Sequence, residues 1–192
     1  DIVCIALTMY LAIEINHILT YILAVMLIAG RQHSLLIQMH DAGHGNIAKN
    51  KTLNDFVGEV ICAWPMFVNM RTYRALHNKH HAATNTHKDP DFRRERFPTS
   101  RQEILKMLGR DILGLNTLHQ LREVKRLKVA NQKVPTIYKI LKPAFYITAL
   151  SLITYFRVWP AFIGLWVVPL FTWLKVCLKN RSIAAHPGPG LQ

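Results

Sequence analysis

The chain has 192 residues, of which 51% are hydrophobic and 18% charged. That length suits one domain of about 150 residues, and an apolar content this high excludes a disordered or fibrous protein. The three cysteines, Cys4, Cys62 and Cys177, lie far apart in apolar stretches. An odd count without Cys-x-x-Cys spacing excludes a disulfide framework and a thiolate zinc site.

The net charge of +13 is concentrated in the middle of the chain. Between Gly45 and Lys142 lie 19 of the 24 Lys and Arg residues and 8 of the 11 Asp and Glu residues. Both flanking segments are apolar and nearly uncharged. A basic block between apolar segments is the positive-inside pattern of membrane proteins. Nucleic-acid-binding proteins lack long Leu, Ile, Phe and Trp runs beside their basic stripes, so the pattern argues against nucleic acid as a partner.

The N-terminal segment predicts two helices joined by a short turn. Ile2–Ile13 is shorter than the roughly 20 residues that a membrane span needs, so we interpret it as the end of a helix that begins further upstream. Glu14–His17 is polar and predicts a turn at one membrane face. Ile18–Met39 predicts a second, long helix that leaves the bilayer near Arg31.

The basic middle of the chain predicts elements that do not cross the membrane. Phe56–Val68 is too short to span and favours an interfacial or re-entrant helix. Thr84–Pro98 is polar and predicts a loop. Arg101–Val129 carries apolar residues at helical spacing among basic ones, which predicts a helix that lies on the membrane surface or, equally, one that faces a protein core.

The C-terminal part predicts a helical hairpin. Two apolar runs, Pro143–Phe156 and Trp159–Val176, are separated by a charge, a Trp and a Pro, which together mark a turn at an interface. These elements predict an all-α membrane protein. We expect one domain over residues 1–192, with membrane helices in 2–39 and the hairpin in 143–176.

Six of the ten histidines form a pattern of metal-ligand spacing: His40, His44, His77, His80, His81 and His186. On a helix, residues four apart lie on one face, and an i, i+3, i+4 set gives three neighbouring rings. Imidazole-rich sites without thiolate suit iron, copper or zinc. Five or six histidines exceed the three or four that one zinc uses, which argues for two metals. Scattered histidines satisfied by hydrogen bonds are the weaker explanation for two such clusters.

The first cluster also invites comparison with the His-Glu-x-x-His motif of zinc proteases. Here Asp41 stands where the protease has Glu, and its shorter side chain would misplace a general base. A protease would also leave the second histidine cluster unexplained.

The motifs together resemble those of the membrane fatty acid desaturase and hydroxylase superfamily. The first histidine box is His40-Asp41-Ala42-Gly43-His44. The second lies in the stretch Tyr73-Arg74-Ala75-Leu76-His77-Asn78-Lys79-His80-His81. Thr84-Asn85 and Asp89-Pro90-Asp91 follow at the usual spacing. Arg181–His186 is similar to the family's Arg-x-x-x-Glu-His element, with Ala185 in place of the Glu.

The resemblance implies an all-α integral membrane domain of about four transmembrane helices with a cytosolic helical cap, here residues 45–142. It also implies a non-haem diiron centre. Its two iron ions would be held by the histidines of both boxes, by the isolated His186 and by a third box. The sequence ends six residues after His186, at Gln192, so we expect a fragment that lacks the third box and is truncated at both ends. Acceptors for the outer ring nitrogens would be Asp41, Asp89 and Asp91, although turn formation around Pro90 explains the last two equally well.

The resemblance also implies the activity and the partners. An O2-dependent enzyme of this kind takes electrons from ferredoxin or cytochrome b5 and removes hydrogen from an unactivated C–H bond of an acyl lipid. Loss of a second hydrogen gives a double bond, and addition of oxygen gives an alcohol. The expected location is a bacterial inner membrane or the endoplasmic reticulum, with the boxes facing the cytoplasm. Alternatives are a carotenoid hydroxylase or ketolase and an inactive truncated remnant.

Overall fold

The computed structural model describes residues 1–83, 100–116 and 134–185, with the backbone alone at 182–185. Every regular element within these ranges is a helix, and none is a strand. The predicted all-α class is therefore confirmed.

Two helices joined by a short turn form the N-terminal part, as predicted. Helix α1 covers Ile2–Ile15 and ends where Asn16 takes a left-handed conformation with φ 47°, its N–H donating to Ala12 O at 3.1 Å. Helix α2 covers Ile18–Gly43. It extends beyond the predicted end at Met39 and so carries the first histidine of the first box.

A short helix with changing pitch follows. Helix α3 covers Lys51–Phe56, and the Asn50 side chain caps it by accepting the Leu53 N–H at 3.0 Å. The chain then continues through π-helical turns at Val57–Ala63 and a 3-10 turn at Trp64–Met66, which ends where Phe67 takes φ 57°. The region predicted as a short, non-spanning helix is thus helical, and the helix starts before Phe56.

Helix α4 covers Met70–Ala83 and helix α5 covers Arg101–Ile112. The single helix predicted over Arg101–Val129 is wrong, because α5 ends within it. Gly114 has φ 70°, a conformation that glycine adopts without strain, and a Cβ there would lie 3.3 Å from Phe171 O. The chain therefore turns at Gly114 against the end of a later helix.

The C-terminal part is the predicted pair of apolar helical stretches. Helix α6 covers Thr136–Tyr155, and Pro143 lies inside it instead of at its start. After a turn in which Arg157 has φ 56°, the chain forms α7, π-helical turns, α8 and α9 in succession. Their bounds are Trp159–Phe162, Ile163–Val167, Val168–Phe171 and Trp173–Ala185.

Three of the described helical stretches are long and apolar enough to cross a membrane: Ile18–Gly43, Thr136–Tyr155 and Trp159–Arg181. Helix α1 has 14 residues and falls short of that length. The described ranges thus hold three of the roughly four spans that were expected, and a fourth is not confirmed. With 19 Lys and Arg against 8 Asp and Glu between Gly45 and Lys142, a surplus of 11 positive charges, these stretches mark an integral membrane protein.

The chain divides into two compact units. One consists of Asp1–Ser34, Phe97–Leu127 and Val158–Gln192, and the other of Leu35–Arg96 and Lys128–Arg157. We call them the first and the second unit. Both boxes belong to the second unit, since they lie at the end of α2 and on α4.

A hydrogen bond inside the first unit accommodates the π-helical turns at Ile163–Val167. Gln32 of α2 is fully buried, and its Nε2 donates to Trp166 O at 2.9 Å. A π-helical turn displaces backbone groups from the regular i to i+4 pattern, which allows a carbonyl there to accept from a side chain of another helix. Gln32 supplies such a donor from the neighbouring helix.

Trp64 anchors the short helical segment of the second unit against α6. Its side chain is 1% exposed and packs edge-on against Phe145, with ring centroids 5.6 Å apart. The Tyr146 hydroxyl donates to Trp64 O at 3.0 Å, and Tyr146 stacks on Phe67 at 6.0 Å. Aromatic packing thus fixes the turn that leads into α4.

Candidate metal centre

The first histidine box lies at the C-terminal end of α2. His40 is in the last turn, and the His44 N–H still donates to His40 O at 3.2 Å, so the helical register continues to His44. Gly45 follows with φ 81° and ends the helix, as a left-handed glycine commonly does. The two imidazoles lie on one face, with ring centroids 4.7 Å apart.

The second histidine box lies in the last half of α4. Asn69 caps this helix by accepting the Thr72 N–H at 2.9 Å, and Met70 is fully buried at its start. His77 and His81 are four residues apart and share a face, with Nε2 atoms 2.9 Å apart. The helical spacing of both boxes is as the sequence predicted.

The two boxes meet through their rings. His77 Nε2 lies 3.1 Å from His44 Nε2, and the His77 and His40 ring centroids are 4.6 Å apart. One ring nitrogen from each of His40, His44 and His77 lies within 4.8 Å of the others. Nitrogens bound to one ion at about 2.1 Å are roughly 3 to 4.2 Å apart. Small ring rotations would therefore place all three on a single metal ion.

His81 and His80 complete the cluster to different degrees. The His81 ring centroid lies 4.4 Å from that of His77 and 5.3 Å from that of His44, so His81 belongs to the same group. His80 lies at the edge, 5.9 Å from His77. The three other predicted residues lie outside the described ranges: Asp89, Asp91 and His186.

Two imidazoles of the cluster, those of His44 and His77, are kept neutral. Burial, followed by the neighbouring rings of His40, His81, His44 and His80, lowers the pKa of His77 to about 4. Burial is also the main cause that lowers the pKa of His44, followed by His40 and His81. Neutral imidazole is the form that binds a metal ion. The donor set, of imidazoles without thiolate, fits iron, copper or zinc.

Two side chains hold outer ring nitrogens. Asp41 Oδ1 lies 3.0 Å from His40 Nδ1, which leaves His40 Nε2 to face the cluster. The Tyr73 hydroxyl lies 3.5 Å from His77 Nδ1, and the Tyr73 ring stacks on His77 with centroids 5.1 Å apart. Such contacts select the tautomer and the ring orientation of a metal-binding histidine. Asp41 was predicted for this role, and Tyr73 was missed.

A buried network of charges surrounds the base of the cluster and was also missed. Its acidic members Asp55 and Glu59 are 6% and 2% exposed. Asp55 pairs with Arg74 at 2.7 Å and with Arg71 at 3.2 Å, and Glu59 accepts the Arg71 N–H at 3.2 Å. Burial alone would raise the pKa of Asp55, but the hydrogen bond and charge of Arg74 and the charge of Arg71 outweigh it and hold that pKa below its usual value. One signal could have revealed the network: two acids four residues apart beside an apolar run, followed by two arginines three residues apart.

Comparison with known proteins identifies the class. The family model described as fatty acid desaturase matches residues 16–189, and the chain belongs to this family. Over 75 residues, 38% of this chain, it is 40% identical to dihydrorhizobitoxine desaturase of Bradyrhizobium elkanii. Over a stretch of the same length it is 36% identical to the sn-1 acyl-lipid omega-3 desaturase (ferredoxin) of Synechocystis sp..

A shorter match extends the same relationship. Over 46 residues the chain is 41% identical to the sn-1 oleoyl-lipid 12-desaturase of Synechocystis sp.. The matched stretches cover 21%, 20% and 13% of these three relatives, about a fifth of their length or less. No solved structure matches the chain. Oxidoreductase chemistry in lipid metabolism, with iron as the metal, is the general property of this family.

Proposed function

We propose that the chain carries the histidine-box core of an O2-dependent acyl-lipid desaturase. The observation that carries this proposal is the convergence of His40, His44 and His77 within 4.8 Å, from two helices, in a chain with apolar helices of membrane-spanning length. The proposed metal ligands are His40, His44, His77, His80, His81 and His186. When bound, two iron ions would supply the activation of O2 needed to remove hydrogen from an unreactive acyl C–H bond.

The protein's own residues have simpler tasks in this proposal. His44 and His77 present neutral nitrogens, and the contact of Asp41 with His40 Nδ1 leaves His40 Nε2 to face the cluster. Tyr73 holds the His77 ring by stacking. The apolar helices keep the acyl chain in a dry environment and position the bond to be oxidised. The proposed substrate class is an acyl lipid. The names of two matched relatives support it, since one contains acyl-lipid and the other oleoyl-lipid.

The electron donor and the orientation belong to the same proposal. The name of the omega-3 relative specifies ferredoxin, which supports a small iron–sulfur protein as donor. The alternative donor is cytochrome b5. The basic residues between Gly45 and Lys142 support an orientation with the boxes on the cytoplasmic side, because Lys and Arg are retained there during insertion.

Removal of a proposed ligand tests the metal centre. His44→Ala and His77→Ala are each expected to reduce the iron content of the purified protein at least about tenfold, because a vacancy is filled by water and the remaining rings lose orientation. Iron is measured by mass spectrometry, and acyl products by chromatography of lipids from membranes that contain the protein.

The controls are His17→Ala and a variant with all three cysteines replaced by serine. His17 is exposed in the turn between α1 and α2, where it accepts the Leu19 N–H at 3.2 Å. Both variants are expected to keep the iron content of the original protein. Full iron in His44→Ala and His77→Ala, or loss of iron in the cysteine-free variant, would show that the ligand set is wrong.

Membrane topology is open to a separate test. In a cysteine-free background, single cysteines are placed at exposed Asn46, next to the first box, and at exposed Val158, in the turn between α6 and α7. An impermeant maleimide applied to sealed, right-side-out cells or vesicles is expected to label only Val158→Cys. Both positions should react once the membrane is opened with detergent. Labelling of both from the same side would contradict the proposed orientation.

A further inference from the structure

The guanidinium of Arg74 joins the two histidine boxes. Its Nε donates to Gly43 O at 2.9 Å, and its Nη2 donates to Ala42 O at 2.8 Å and to Asp55 Oδ1 at 2.7 Å. Ala42 and Gly43 lie inside the first box, between Asp41 and His44, and Arg74 lies one helical turn before His77.

These contacts satisfy the open end of α2. The last four carbonyls of a helix lack partners within it, and Ala42 O and Gly43 O belong to that set. Arg74, on α4, donates a hydrogen bond to each of these two carbonyl oxygens. His44 follows Gly43 directly, so the cap also fixes where the His44 backbone leaves α2. Because residues three apart lie on one helix face, the same side chain is held close to His77 on α4.

Asp55 holds the guanidinium from the side of α3, and its neighbour Asn54 binds one of the same carbonyls. Asp55 accepts from both Arg74 and Arg71, and the Asn54 side chain donates to Ala42 O at 2.9 Å while accepting the Ile47 N–H at 3.1 Å. Both side chains are at least nine-tenths buried, with 6% and 1% exposure. Three acceptors in fixed directions match the rigid planar fork of arginine, whereas a lysine would reach them one at a time.

We propose that Arg74 is a positioning residue that sets the distance between His44 and His77 for metal binding, and that Asp55 orients Arg74 for this task. The inference rests on the proposed metal centre, whose ligands are the histidines themselves. Arg74 donates to no ring nitrogen of the histidines in the described ranges. It acts through the backbone of the first box and through the helix that carries the second.

Cobalt binding reports the arrangement directly. The protein in detergent is titrated with Co2+, whose visible absorption reports coordination number and geometry. Arg74→Lys keeps the charge but loses the fork, and is expected to weaken Co2+ binding about 10-fold and to shift the visible bands. Arg74→Gln is expected to weaken it about 100-fold.

The matched control is Lys79→Gln, which removes a positive charge from the exposed side of the same helix, two residues from His77. Its Co2+ affinity is expected to stay within about twofold of the original, since an exposed charge contributes little. Equal weakening in Lys79→Gln and Arg74→Gln would mean that charge alone matters, and would overturn the inference.

A double-mutant cycle tests the role of Asp55. If Asp55 acts through Arg74, Asp55→Asn lowers the Co2+ affinity. The double variant, Asp55→Asn with Arg74→Gln, then has the same Co2+ affinity as Arg74→Gln alone. Additive losses of Co2+ affinity in the double variant would overturn the role of Asp55 in orienting Arg74. If Arg74→Gln fails to fold, Arg74→Lys carries the test.

His44→Ala separates this inference from the proposed function. If His44→Ala binds Co2+ with unchanged affinity and spectrum, the metal centre itself is wrong. If His44→Ala loses binding while folded Arg74→Lys keeps both the affinity and the band positions, the metal centre stands and the positioning role of Arg74 is overturned. A merely structural Arg74 would lower the melting temperature of the metal-free protein and leave the Co2+ bands in place.

Discussion

Gly58→Ala is expected to destabilise the protein by about 3 kcal/mol and to reduce metal binding with it. Gly58 lies in the π-helical turns after α3, packed between the end of α2 and the start of α4. A Cβ at this position would lie 2.5 Å from Ala42 Cβ and would clash with Met70 Sδ. The methionine can move, but Ala42 Cβ is fixed to the backbone two residues before His44. The added methyl therefore pushes the two boxes apart.

A melting curve of the detergent-solubilised protein measures the effect, and Gly109→Ala is the control. A Cβ on Gly109, inside α5, meets no atom within 4 Å, so alanine there should be neutral or stabilise the helix by up to about 1 kcal/mol. Adding Ala42→Gly to Gly58→Ala removes the rigid contact and should restore part of the stability. Unchanged melting of Gly58→Ala would show that the helices are not packed this closely.

Glu59→Gln is expected to lower the free energy of unfolding by about 3 kcal/mol, because it leaves Arg71 with one buried partner fewer. The Glu59 carboxylate accepts from Trp64 Nε1 at 3.1 Å and from the Arg71 N–H at 3.2 Å, and it also lies 3.5 Å from Arg71 Nε. An amide has one acceptor oxygen where the carboxylate has two. The variant therefore sets an NH2 group against one of these donors.

Thermal or denaturant unfolding measures this loss, with Glu14→Gln as the comparison. Glu14 is exposed near the end of α1, and its replacement is expected to change stability by no more than about 0.5 kcal/mol. Tryptophan fluorescence gives a second readout, since Trp64 loses a hydrogen bond to a charge. Equal stability of Glu59→Gln and the original protein would mean that the negative charge of Glu59 is not needed.

The apolar helices could be predicted from the sequence because their signal is local. A run of apolar residues broken by Glu14–His17 fixes both the break and the two helices around it, and Asn16 indeed ends α1. The helix predicted from Arg101 to Val129 failed because its apolar spacing continues past Gly114. There the backbone turns against Phe171, a residue 57 positions later, and no local pattern encodes such a contact.

The histidine cluster was predictable for a similar reason, and the network beneath it was not. Helical spacing alone places His40 beside His44 and His77 beside His81. The contact between the two pairs, by contrast, depends on Arg74, Asp55 and Gly58. In the sequence, Glu59 is only a charged interruption of an apolar run. Its hydrogen-bond donors, Trp64 and Arg71, are brought next to it only when the chain folds back on itself.

The hydrogen bond from Gln32 to Trp166 has an evolutionary consequence. A π-helical turn amounts to one residue inserted into an α-helix, and here it sets the Trp166 carbonyl within reach of Gln32, in a segment suited to hydrocarbon where water cannot take the place of a lost partner of the Gln32 amide. Deleting one residue from Ile163–Val167 would restore a regular helix and turn that carbonyl away from position 32, so the buried Gln32 amide would lose its acceptor and an apolar residue would be favoured there. Among descendants of this sequence, substitution at position 32 and loss of a residue in that stretch should therefore be inherited together.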